Sequence, residues 1–195
     1  MAVNLVKGQK VDLRKQDGSE LKNVMVGLGW DEAKKKGLFG LKGADIDCDA
    51  TALLCKNGRV LDKNDIVYFG NLTHFSGAVR HMGDNLTGAG EGDDEQILVD
   101  LKSLPEDYDK IVFVVNIYKA QERRQHFGMI ENAFIHILEG DNGKELCRYN
   151  LSENYDGMTA MVIAELYRYK GSWKFAAIGQ PTRDNSIGEL ARRYI

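Results

Sequence analysis

Eleven short β-rich runs follow one another along this chain, separated by glycine, asparagine and aspartate. They cover 10–13, 24–30, 46–55, 66–68, 79–81, 96–100, 111–118, 133–139, 145–150, 158–168 and 173–178. Evenly spaced short strands with turn signals between them predict an all-β sandwich or barrel. Two of the turns have a stated mechanism. Lys56-Asn57-Gly58-Arg59 and Gly140-Asp141-Asn142-Gly143 place residues that tolerate positive φ between two strands. Residues 111–115 are apolar without interruption, which predicts a central strand buried on both faces. Helix signals are few. A short helix is expected near 120–125, and Ser186-Ile187-Gly188-Glu189 fits a capping box opening a second near 186–194. Pro181 is expected to mark the end of the sheet. With no linker, repeat or low-complexity tract, residues 1–195 read as one domain.

Apolar residues make up 43% of the chain and charged residues 28%, the balance of a soluble globular protein. A net charge of −3 argues against nucleic acid as the main partner, because phosphate binding needs a basic patch. The basic clusters 34–36, 123–124 and 192–193 are short and read as solvated surface. Three scattered cysteines (Cys48, Cys55, Cys147) lack zinc-ligand spacing and read as buried thiols. The N-terminus has no cationic start followed by a long apolar core, and no apolar run is long enough to span a bilayer. A cytoplasmic location is expected, with any membrane association peripheral. The sequons at Asn71, Asn85 and Asn150 would then carry no glycan.

Two acidic stretches stand out. Residues 83–95 hold five carboxylates (Asp84, Glu91, Asp93, Asp94, Glu95) and four glycines in thirteen positions. Glycine lets the backbone turn sharply, and carboxylate and carbonyl oxygens are what hard cations take, above all Ca²⁺. Such a segment is either a solvated acidic turn or a calcium site. In Asp45-Ile46-Asp47-Cys48-Asp49-Ala50, strand periodicity puts Asp45, Asp47 and Asp49 on one face. Same-face neighbours sit about 7 Å apart, so their charges repel unless a cation reverses the sign. A solvated strand end is the plain alternative. The pattern is not an EF-hand: counting from Asp45, positions six and twelve hold Ala50 and Lys56 in place of Gly and Glu.

These stretches carry a resemblance. Gly83-Asp84-Asn85-Leu86-Thr87-Gly88 followed by Glu91-Gly92-Asp93-Asp94-Glu95 resembles the signature of the TerD family of tellurium-resistance and stress proteins. Gly27-Leu28-Gly29-Trp30-Asp31, Asp47-Cys48-Asp49-Ala50-Thr51, residues 112–120, Phe127-Gly128, Glu165-Leu166-Tyr167-Arg168 and Trp173-Lys174-Phe175 follow the family's pattern in order. The resemblance implies a two-sheet β-sandwich of C2-like architecture and a non-enzymatic calcium-binding module in tellurite resistance and general stress. Carried over by position, it implies Ca²⁺ ligands at Asp47, Asp49, Asp84, Asp93, Asp94 and Glu95, with Asp31 and Asn85 of second rank. Asp45 is an additional carboxylate ahead of the matched pair. Other stress and tellurium-resistance proteins are the partners it suggests.

An enzyme is the competing class. His74, His81, His126 and His136 sit in no catalytic signature and read as structural, with His81, two residues before the acidic stretch, the best of the four. Gly88-Ala89-Gly90-Glu91-Gly92 is too acidic for a phosphate loop unless a cation bridges the charges. The alternative is therefore a metal-dependent enzyme or receptor acting on phosphate or oxyanion ligands through the bound cation.

Overall fold

A computed structural model describes residues 2–15, 17–32, 46–83 and 92–195. Among these residues the strands are β1 (Val3–Leu5), β2 (Lys10–Asp12), β3 (Asn23–Glu32), β4 (Cys48–Cys55), β5 (Ile66–Val67), β6 (Val79–His81), β7 (Glu95–Asp100), β8 (Lys110–Ile117), β9 (Ile130–Glu139), β10 (Glu145–Asn150), β11 (Ala160–Tyr169) and β12 (Ser172–Thr182). Two short helices follow β8 and β12: α1 (Ala120–Arg123) and α2 (Ile187–Ala191). The strands form two six-stranded sheets, ordered β1-β10-β9-β3-β7-β6 and β2-β12-β11-β8-β4-β5. All neighbours are antiparallel except β1 and β10. The chain is a two-sheet β-sandwich.

Alternation builds its core. Ile97 and Val99 of β7 face inward with Val24, Val26 and Leu28 of β3, and they meet Ala50, Ala52 and Leu54 of β4 from the other sheet. The uninterrupted apolar run of β8 has a double cause. Ile111, Phe113 and Val115 enter the inter-sheet core. Val112 and Val114 enter a second cluster on the outer face, with Leu53, Cys55, Leu190 and Ala191. The C-terminal helix α2 caps that outer face, so the strand is covered on both sides. Ser186 Oγ accepts from Glu189 N at 3.2 Å, and Glu189 returns to Asn185 N at 2.8 Å, one residue earlier than a strict capping box requires.

The tight turn at Asn57-Gly58 takes positive φ at both residues, 51° and 73°, as its composition predicts. Two expectations are corrected and one strand was missed. β12 runs through Pro181 to Thr182, because β2 pairs only with Lys174–Ala176; beyond it the proline's missing N–H faces no second strand. β1 was not legible as a strand: it is three residues long and lies at a sheet edge. The helix after β8 is also shorter than 120–125, ending where Arg124 turns left-handed at φ 54°. No helix among the described residues is long and apolar enough to cross a membrane.

Because β8 is central and Phe113 is only 1% exposed, truncating it should leave a cavity the sheets cannot collapse into. Phe113→Ala is expected to cost about 3–5 kcal/mol in chemical denaturation. A cost below about 1 kcal/mol would contradict this packing.

Candidate cation-binding rim

Three strand ends meet at one end of the sandwich. Leu28 of β3 pairs with Glu95 of β7, so the exit of β3 lies beside the entry to β7. Glu95 reaches across the sandwich, and its Oε2 accepts from Ala50 N of β4 at 2.5 Å. The segments 33–45 and 84–91 join the described chain at this end and lie outside the described residues, so Asp45, Asp84 and Asn85 are not placed.

The remaining carboxylates divide among different faces. Glu95 is 4% exposed inside the sandwich, with His81 Nε2 3.5 Å from its Oε2. His81 Nδ1 in turn accepts from Gly83 N at 3.1 Å. Asp93 lies on the outer face of the first sheet, where Oδ1 is 2.8 Å from His136 Nε2 and Oδ2 accepts from Gln96 Nε2 at 3.1 Å. It occupies the space over Gly27, where a Cβ would come within 2.1 Å of Asp93 Oδ2. Asp94 sits at the bend before β7. Its Oδ2 accepts from Trp30 N at 2.7 Å and its own N–H donates to Leu28 O at 2.8 Å. Asp31 is exposed and accepts from Asn132 Nδ2 at 2.8 Å. Asp47 is exposed, 3.7 Å from Arg123 of α1. Asp49 lies on the outward face of β4, as alternation predicts, and lines a cleft there.

The electrostatics still link these groups. Burial pushes the Asp94 carboxyl above its usual range, with Asp31 and Asp93 adding to the rise and the Trp30 N–H opposing it. The Cys48 thiol is held well above its usual range by burial and then by the charges of Asp49, Glu95, Asp47 and Asp94. In both groups burial is the larger cause, and the neighbouring carboxylates add to it. The carboxylates here offer oxygen donors, the chemistry of a hard cation such as Ca²⁺. Among the described residues no three His, Cys, Asp or Glu side chains form a ready-made metal cluster.

Sequence reasoning missed what Asp93 does. His136 bridges it to Glu145, with Nδ1 2.7 Å from Glu145 Oε2. Burial lowers the affinity of His136 for its proton, but the contacts to Asp93 and Glu145 outweigh that and the pKa is raised. The available signal was Gly27 opposite His136 in the β3–β9 ladder, since a glycine inside a strand marks a close approach. His74 is structural too, 3.3 Å from the buried Asp65 and 2.7 Å from Ser76 Oγ.

Fold and rim together define a class: a mainly antiparallel two-sheet sandwich with several carboxylates near one end. The TerD domain matches residues 1–194, and the chain belongs to that family. It is 48% identical to the stress response protein SCP2 of Bacillus subtilis, over all of both chains. It is 48% identical to the tellurium resistance protein TerD of Serratia marcescens, over 92% of this chain and 91% of the relative. The crystal structure of a homologue of telluride resistance protein (TerD) from Streptomyces coelicolor matches the fold with a TM-score of 0.63 at 23% identity, covering 88% of this chain and 95% of that one.

The raised pKa of His136 has a signed consequence. Its ion pairs are fully formed below the unfolded pKa of about 6.5, and their stabilisation is lost as pH rises through the folded value. Thermal melts of the parent should therefore fall relative to His136→Gln as pH rises above about 6.5. Parallel curves from pH 6 to 9 would contradict the bridge.

Proposed function

We propose that this chain is a non-enzymatic calcium-binding module of the tellurite and general stress response, working in the cytoplasm, whose rim is ordered by Ca²⁺ into a surface for other stress-response proteins. The observation that carries the reading is Asp94. Its carboxylate is part-buried and raised in pKa, first by burial and then by the charges of Asp31 and Asp93, at the bend before β7. A cation is the natural counter-charge there. The names of the relatives, tellurium resistance and stress response proteins, support the biological setting. Three free, buried cysteines suit a reducing compartment.

Asp94 and Asp47 would supply ligands from the described residues, with Asp31 beside them. Asp84, Asn85 and Asp45 would supply the rest. Asp93 and Glu95 already serve His136 and Ala50, so their role is fixed negative charge more than direct ligation. Calcium accepts six to eight oxygens in flexible geometry and suits such a set better than magnesium, which demands a strict octahedron.

Calorimetry on chelator-treated protein tests this. At Ca²⁺ near 100 Kd the fold should gain about 2.7 kcal/mol, seen as a higher melting temperature. Asp94→Asn keeps an oxygen for Trp30 N–H but removes the charge, so calcium affinity should drop at least tenfold while the metal-free melt stays level or rises. Asp47→Asn should also weaken binding. If neither variant changes the calcium isotherm, or the parent gives none, the reading is wrong.

A further inference from the structure

On the outer face of the second sheet, between α1 and the start of α2, lies a cleft of about 440 Å³. Its floor is made by Asp49 and Asn116, direct partners in the β4–β8 ladder. Asn116 is 5% exposed, and its Oδ1 has no hydrogen-bond partner among the described residues. A buried acceptor left unsatisfied is costly, so this atom favours an incoming donor. The carboxylate of Asp49 beside it favours a donor that is positively charged. The walls include Tyr118, 38% exposed and two residues beyond Asn116, and Phe69, 49% exposed. Lys119 also lines the cleft, but its ammonium lies 3.6 Å from Glu122.

We propose that this cleft binds a primary alkylammonium group, with the cation donating to Asn116 Oδ1 and Asp49 and its alkyl chain lying along Tyr118 and Phe69. Two side-chain oxygen groups fall short of the six to eight oxygens calcium takes. An ammonium needs no more than three acceptors, and the exposed ring of Phe69 offers apolar contact to its chain. The volume lies within the ~300–1,000 Å³ of small-molecule sites. The ammonium has two possible sources, a free aliphatic amine or the lysine side chain of a partner protein.

The test titrates 1,4-diaminobutane and, separately, a short lysine-containing peptide into the full chain, followed by calorimetry and by NMR shifts of the Asn116 side-chain amide. Each is run with saturating calcium and with chelator. Saturable binding of the diamine assigns a free amine; binding of the peptide alone assigns a partner lysine. In either case Asn116→Leu and Asp49→Asn should each weaken binding at least tenfold. Asp49→Asn keeps the shape of the side chain, so it decides the question if Asn116→Leu fails to fold. The proposal is overturned if neither probe binds, if binding is unchanged in Asp49→Asn, or if calcium displaces the amine competitively, which would make Asp49 part of the calcium site.

Discussion

The hydrogen bond from Ala50 N–H to the carboxylate of Glu95 is the constraint on which the rest of this end of the molecule depends. A carboxylate that is 4% exposed is costly to bury without partners. Here it gains a backbone donor from the opposite sheet and a histidine from the neighbouring strand. The tie holds β7 against β4 and turns Glu95 inward. The chain bends at Asp94, so Asp94 meets the end of β3 and Asp93 crosses to the outer face over Gly27. One buried carboxylate thus fixes where its two part-buried neighbours project.

The architecture follows from patterns that short-range physics makes visible. The continuous run of β8 announced burial on both faces, although the second cover, α2, could be named only from the folded chain. Asp47, Cys48, Asp49 and Ala50 alternate as a strand must, with Cys48 and Ala50 in the core and Asp49 outside it. What stayed hidden depends on contacts distant in sequence. Pro181 reads as a stop, yet past the reach of β2 the chain loses nothing by its missing N–H. The three residues of β1 are too few to show a period. Asp93 reads as a ligand from its neighbours, and only the β3–β9 register brings His136 to it.

The candidate site was legible as a composition and not as a geometry. Six of the nine oxygen-bearing residues expected as metal ligands lie among the described residues, and they project in four directions. Glu95 points between the sheets, Asp93 and Asp49 point to opposite outer faces, and Asp94, Asp31 and Asp47 stay at the rim. Their shared effect is a field that adds to burial in raising the pKa values of Asp94 and Cys48. On the proposed reading that field recruits calcium to the rim. The outward turn of Asp49 instead gives the neighbouring cleft its charge.

Amide hydrogen exchange read residue by residue, with saturating calcium and with chelator, tests the calcium reading most directly. Trp30 N–H is bonded to Asp94, so its protection reports on the rim. Phe113 N–H, deep in β8, reports on the fold as a whole. The account predicts that calcium slows exchange at Trp30 far more than at Phe113. Equal protection of Trp30 in the two conditions would contradict it.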